Sequence, residues 1–555
     1  MTTDNLRIFL WVGLMMLVWL TVQTWQQTYS PKAGPAIEPT TTTTGPAVPA
    51  VAPALPSLPG PASAVAPTAG AASDPVAAVA APATLIRVRT DVLDLAIDLQ
   101  GGNIVDAKLP TFPVHKDQPD VAMELLSPVA ERFFAVQGGL RAADNQPEAN
   151  HLATFTSTGR DFTLKSGATE LKVPLRWESS TGVVVTKTFT FRPGRFQIDL
   201  DHVVQNNGAE AYQASEYLQI QRLYSPPDQS MFDVETYSFN GPVTYDGNKY
   251  QKLDVEDLAT TPFSQSVAMG WFGAIQHHFL AAAVPPTAQT WNYAGSFADG
   301  KFLVSAIGPL QLVPPAGSAT FSSRLFIGPK VQAELAATAP GLELTVDYGR
   351  LTLLAQPMFW LLDKMHGFVG NWGLAIILVT LLIKLVFYKL SETSGRSMAG
   401  MRKLQPRMKA LQERYKDDRQ AMSGALMELY KKEKINPAAG CLPMLVQIPF
   451  FISFYWVLLE SVEMRQAPFA LWITDLSSKD PFFILPLLMG GAMFIQQKLN
   501  PPPPDPVQAK MMQIMPVVFT GFFAFFPAGL VLYWLTNSVL SMAQQWRINK
   551  VLGAD

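Results

Sequence analysis

A single lysine stands inside an apolar run. Residues 371–388 read NWGLAIILVTLLIKLVFY, and Lys384 is the only charge among them. The run has the length of a membrane-crossing helix, and lysine at the centre of one costs about 2.5–3.5 kcal/mol on insertion scales. Two arrangements make that tolerable. Either the ammonium faces a water-filled cavity inside a bundle, or its four-carbon stem carries it to the membrane surface. Tyr388 lies four residues on, about 6 Å along a helix axis, so spacing alone leaves both open. Other reactive chemistry is sparse. One cysteine, Cys441, excludes an intrachain disulfide and a cysteine-based metal cluster. His277 and His278 are adjacent, and on a regular strand they point to opposite faces and cannot share a metal. Asp199 and Asp201 share a strand face, a weak sign of glycoside chemistry. The sequence has no GxxxxGK[ST] loop, so ATP hydrolysis is not expected.

The rest of the chain must place that lysine. The 555 residues are 48% hydrophobic and 15% charged, with a net charge of −2, against about 25% charged in a typical soluble protein. The deficit points to a membrane. The near-neutral balance argues against DNA or general nucleic-acid binding. Residues 6–22 (LRIFLWVGLMMLVWLTV) read as a transmembrane anchor within 1–25. A cleaved signal peptide is the competing reading, but Gln23, Trp25, Gln26 and Gln27 follow in place of a small-residue cleavage site. Residues 26–84, rich in Pro, Ala and Thr, read as an extended linker.

Residues 85–340 switch to short apolar runs that alternate at period two, as in VLDLAIDL (92–99), VVVTKTFTF (183–191) and FQIDLDHVV (196–204). Turn signals separate them at 206–208 and 246–247. This predicts a large β-sandwich, read as a scaffold or docking domain. Residues 341–368 form an amphipathic segment suited to the outer membrane–water boundary, with Leu351, Leu354, Met358, Leu361 and Leu362 able to share a face and Pro357 bending it or marking a start. A connector packed on the β-domain is the plainer alternative.

Five spans are expected after it: one over 369–390 and four within 441–555, near 442–462, 481–497, 507–525 and 528–546. With the anchor they make a six-span bundle. The loop over 391–440 holds eleven Lys/Arg to six Asp/Glu, while 465–480 holds two of each. The first loop is therefore predicted to be cytoplasmic, which puts both termini inside and the β-domain outside. Within that loop 396–415 and 419–434 read as a helical hairpin. Its basic residues, Arg402, Lys403, Arg407, Lys409, Lys431 and Lys432, either enforce topology and touch lipid head groups or contact a ribosome.

Four stretches carry a resemblance: NPAAGCLPMLVQIPFF (436–451), RQAPFALWITDLSSKDPFFILPLLMG (465–490), FFPAGLVLYW (525–534) and VDYGRLTLLAQPMFWLLDKMHGFVGNWG (346–373). With TDVLDLAIDLQGGNIVDAKLP (90–110), they make the chain similar to the YidC/Oxa1/Alb3 family of membrane protein insertases, in its Gram-negative form with a large periplasmic domain. The resemblance implies a multi-domain membrane protein: a five-helix insertase core plus the N-terminal anchor, carrying a periplasmic β-supersandwich.

It also implies a hydrophilic groove open to cytoplasm and lipid. Lys384 falls where the family most often has arginine, which removes the bidentate fork but keeps the charge. Thr380, Gln447, Tyr533 and Trp534 are implied groove neighbours, and Phe450, Phe451 and Trp534 an apolar face along which a client slides. Expected partners are nascent membrane proteins, the Sec translocon with its accessory subunits, a ribosome or targeting receptor, and membrane lipids. No catalytic residue, metal or cofactor is expected. A membrane-anchored carbohydrate-binding or carbohydrate-active protein is the alternative, disfavoured because an anchor needs neither five further spans nor a buried charge.

Overall fold

The computed structural model describes residues 84–143, 145–226, 238–287, 289–415, 418–433, 435, 438–499 and 506–552. The expected anchor and all but the last residue of the linker lie outside these. The described residues on either side of 418–428 form one compact unit, and 418–428 fall outside it.

Among the described residues, twenty strands form two sheets, of eleven and nine strands. Alternation builds them. Gln197–Asn206 buries every second side chain, Ile198, Leu200, His202 and Val204. It pairs antiparallel with Val183–Phe191 on one side and Ser318–Pro329 on the other, Leu200 lying opposite Phe189 and Ser323. Between Asn240–Tyr245 and Tyr250–Lys252 the chain reverses at Asp246–Gly247, where a φ of 90° requires glycine.

The core is not wholly apolar. Lys187 is 1% exposed and its Nζ donates to the carbonyls of Gly101 (3.0 Å) and Gly138 (2.8 Å). Burial pulls its pKa down to about 7. Nearby, Glu216 lies 2.9 Å from His202 Nδ1 and accepts from Ser323 Oγ at 2.8 Å. Asp199 and Asp201 do share a face, but each is separately engaged: Asp199 with Arg192, Asp201 as acceptor from Ser322.

The histidine pair departs from the strand expectation. Gln276 pairs with Phe279, so His277 and His278 are the two central residues of a hairpin turn. Such turns need a positive φ, and His277 has 48°. The rings consequently stack, 3.7 Å between centroids, instead of facing apart.

Eleven helices are described: α1 (Val255–Thr260), α2 (Gln332–Thr338), α3 (Thr352–Val369), α4 (Trp372–Val386), α5 (Tyr388–Lys403), α6 (Gln405–Arg414), α7 (Arg419–Lys432), α8 (Ala438–Glu460), α9 (Ile484–Leu499), α10 (Pro506–Phe523) and α11 (Ala528–Leu552). Helix α3 carries Pro357 inside it, where the missing N–H leaves the Leu353 carbonyl without its usual helical donor. It buries Ala355, Met358, Phe359 and Leu362, so Met358 and Leu362 of the expected face are buried while Leu351, Leu354 and Leu361 are half-buried at its edge, and it exposes Leu353, Trp360 and Phe368.

The helix expected over 369–390 is broken. Helices α4 and α5 meet at Phe387 with a 65° bend, and the Phe387 amide is shared between the carbonyls of Ile383 and Leu385. The helix expected over 396–415 starts earlier, at Tyr388, and breaks at Leu404. Pro406 opens α6, and without an N–H it cannot continue the turn before it. Among the described residues no single helix is both long and apolar enough to cross a membrane, and the bent pair Trp372–Val386 with Tyr388–Ser397 meets that test jointly. The six-span count therefore rests on one segment outside the described residues and on helices none of which, taken singly, passes that test.

Candidate functional site

Helix α11 carries polar residues at 537, 541 and 544, steps of four and three that fall on one helical face. Lys384 sits in the last turn of α4 and donates from Nζ to Ser541 Oγ at 2.8 Å. The ammonium is thus turned into the bundle. Ser541 in turn donates to the Asn537 carbonyl at 2.6 Å, and Gln447 of α8 donates to Asn537 Oδ1, also at 2.6 Å. Gln544 donates to the Tyr388 carbonyl at 3.2 Å, tying α11 to the start of α5. Beside this polar line lies a cavity of about 20 Å³ between Lys384, Phe387, Ser391, Val446 and Gln447. That is room for one water.

The other expected groove residues take different places. Thr380 is buried, and its hydroxyl donates to the Ile376 carbonyl of its own helix at 2.6 Å, away from the cavity lining. Tyr533 is buried and stacks on Phe454 at 4.7 Å. Trp534 packs on Phe451 at 4.4 Å, and Phe450 meets Phe387 edge-on at 5.2 Å. Phe450, Phe451 and Trp534 are all half-buried. The stripe of α8 that is exposed runs through Leu445, Ile448 and Ile452. Sequence reasoning missed Asn537, Ser541 and Gln544. Their signal was available: polar side chains at helical spacing in an otherwise apolar span.

The outer end of the bundle is covered. Phe469, in the loop between α8 and α9, lies so close over Gly373 that a Cβ there would meet its ring at 2.0 Å. Asn371 caps α4 by accepting from the Leu374 amide (3.0 Å) and donates to the Phe469 carbonyl (2.9 Å). The same loop accepts from the amides of Ala528 (at Ser478, 2.7 Å) and Gly529 (at Leu476, 2.9 Å). Asp480, buried, collects the Trp472 indole N–H (3.0 Å) and the amides of Phe482 (3.0 Å) and Leu485 (2.6 Å).

At the opposite end, Lys403, Arg407, Lys409, Lys431 and Lys432 are exposed, and Arg407 pairs with Glu433 at 2.5 Å. The side chain of Arg402 lies outside the described residues. Among the described residues no three His, Cys, Asp or Glu side chains cluster as metal ligands.

A β-rich domain followed by a bundle with a polar line inside it is the plan of an integral membrane protein with an external domain. The family of the 60Kd inner membrane protein matches residues 364–554, and the YidC periplasmic domain matches 85–361. The chain is 48% identical to the membrane protein insertase YidC of Thioalkalivibrio sulfidiphilus, over 99% of this chain and 98% of that one. It is 49% identical to the insertase YidC of Methylococcus capsulatus, over 84% and 85%. A crystal structure of an active YidC insertase with its first transmembrane domain resolved matches with a TM-score of 0.38 at 18% identity, covering 83% of this chain and 92% of that one. The chain belongs to the YidC family of membrane protein insertases, proteins of the inner membrane with a periplasmic domain.

Proposed function

We propose that this chain inserts and helps fold inner-membrane proteins by lending a hydrated cationic site to the polar segment that must cross. A polar segment entering lipid alone leaves its backbone and side-chain groups unpaired. The line Lys384–Ser541–Asn537–Gln447 offers donors and acceptors inside the bundle, and the water-sized cavity beside Lys384 leaves an approach to the ammonium that an incoming carboxylate would have to widen. The observation that carries the reading is the inward turn of Lys384 onto α11. The exposed α8 stripe Leu445, Ile448 and Ile452 suits the client's apolar segment as it moves into lipid, joined by the half-buried Phe450, Phe451 and Trp534.

Short helices support the same reading. Helix α4 has 15 residues and α9 has 16, about 22–24 Å at 1.5 Å per residue, against about 30 Å of hydrocarbon. A short apolar span thins the bilayer around it, which shortens the crossing for a client.

The charge asymmetry of the loops supports a cytoplasmic side for both termini and the basic helices α5 to α7, where Lys403, Lys409, Lys431 and Lys432 would meet a ribosome, a targeting receptor or anionic lipid. On larger clients the protein works beside the Sec translocon. The exposed Leu353, Trp360 and Phe368 of α3 suit the outer interface.

The test is site-specific crosslinking from positions 384 and 534 to a stalled nascent chain. Adducts from both positions are expected. Adducts from 384 and 534 no stronger than those from the remote surface position 312 would reject the site.

A further inference from the structure

The loop that covers α4 and α11 is gripped on its other side by the β-rich domain. Lys330, 2% exposed, follows the strand Ser318–Pro329, and its Nζ lies 3.4 Å from Glu460 Oε2 at the end of α8. It also donates to the Thr345 carbonyl at 3.1 Å, while Ser238 Oγ donates to Glu460 Oε1 at 3.3 Å. An ion pair this deep is tolerated only when its remaining donors and acceptors are met, and these bonds meet them. One residue further, the Tyr348 hydroxyl lies 3.2 Å from Ser461 Oγ and accepts from Gln332 Nε2 at 2.5 Å. The Gln332 amide donates to Glu463 Oε1 at 3.3 Å.

The grip continues along the loop. Arg465 Nη2 donates to the carbonyls of Pro113 (2.9 Å) and Val114 (3.0 Å), and its guanidinium lies over the Phe279 ring. Gln466 Nε2 reaches the Pro113 carbonyl at 2.9 Å, and Lys116 donates to the carbonyls of Gln466 and Thr474. Residues 460, 461, 463, 465, 466 and 474 thus face the β-domain. Residues 469, 476 and 478, interleaved with and following them, hold the tops of α4 and α11. One short loop is shared between the β-domain and the bundle.

We propose that the β-rich domain is the latch that keeps this outer plug seated, through the buried Lys330–Glu460 pair at one end of the loop and the Arg465, Gln466 and Lys116 contacts at the other. The two sets of contacts are far apart in sequence on the β-domain side, at 113–116 and 330–348, so they pin the loop at two points and resist rotation about either. Its membrane-side residue Phe469 then stays over Gly373. The inference does not depend on what the bundle transports, and its readout is accessibility, with no client present.

The experiment uses the full chain in proteoliposomes with Cys441→Ser and a reporter, Ala375→Cys, on the buried first turn of α4 beneath the plug. A membrane-impermeant maleimide is added on the β-domain side. Lys116→Ala with Arg465→Ala is expected to speed labelling about tenfold or more, the opening that follows loss of hydrogen bonds to charged groups. Lys330→Met with Glu460→Met removes both buried charges together, keeps the volume filled, and is expected to act in the same direction with a smaller factor. The exposed Lys116→Ala alone serves where the pairs reduce folding. Labelling at the parent rate in all three overturns the latch, whether or not spin-label distances between the β-domain and the bundle have changed.

Discussion

Lys187 and Lys384 are both withdrawn from bulk water, for opposite ends. Lys187 is sealed between sheets and spends its donors on the carbonyls of Gly101 and Gly138, fixed points of the fold. Lys384 is half-buried, has one protein hydrogen bond among the described residues, to a serine hydroxyl, and borders a cavity. A lysine bonded to two backbone carbonyls and sealed from water is part of the scaffold. One with donors to spare beside a cavity can receive a visitor. The difference lies both in depth of burial and in what surrounds the nitrogen.

The comparison breaks first on stability. Lys187→Ala leaves two buried carbonyls unpaired and opens a cavity, and should cost the β-domain about 3 kcal/mol, read as a lower urea midpoint. An unchanged midpoint would mean the Lys187 bonds contribute nothing net.

Next comes pH. A lysine with a native pKa near 7, against an ordinary 10.5, binds its proton more weakly folded than unfolded. Between pH 7 and pH 10.5 the unfolded chain therefore carries more protons, and stability rises with pH across that window. Below pH 7 the penalty is fully present. Lys187→Met should flatten this rise, and a persisting rise would assign it to another group.

The third expectation concerns Lys384. Lys384→Ala should move the unfolding midpoint by less than about 0.5 kcal/mol. It should nevertheless lower insertion of clients with acidic tails about tenfold relative to neutral ones, the scale of one charge-assisted bond. Lys384→Arg should insert both normally. Equal, parent-like insertion of both client types by the alanine variant in proteoliposomes would remove the electrostatic role.

The smallest effect belongs to Ser541→Ala, which frees the Lys384 nitrogen without removing it. A change of about two- to fivefold in acidic-client insertion is expected, as for loss of a single hydrogen bond. An effect as large as that of Lys384→Ala would make the serine, not the ammonium, the group the client meets.

How much of this could be read before the fold was known varied by kind of signal. The alternation in 183–191 and 196–204 is local, and it marks two central strands of the smaller sheet. Lys384 was conspicuous because a charge in an apolar run has few explanations. Its partner was harder to read: the polar face at 537, 541 and 544 is visible locally, but Ser541 lies 157 residues away and, like Thr380, bonds back to its own helix, so nothing local says that it also meets a lysine. The stacked histidines were misplaced because the turn they form has none of the usual Asn or Gly. The bend at Phe387 has no proline or glycine to announce it, whereas the break at Leu404 is legible in Pro406. The β-domain's grip on the loop at 465–474 depends on contacts across some 350 positions, beyond any pattern of period two or 3.6.

That bend at Phe387 has a consequence for turnover. By ending α4 at Val386, two residues past Lys384, it puts the lysine in the last turn, at the negative pole of the helix, equivalent to about half an elementary charge. On the function proposed above, an unopposed cation shielded from bulk water would hold a carboxylate tenaciously and stall on its first passenger. Partial neutralisation by the backbone makes the attraction strong enough to recruit and weak enough to release, so the site can be reused.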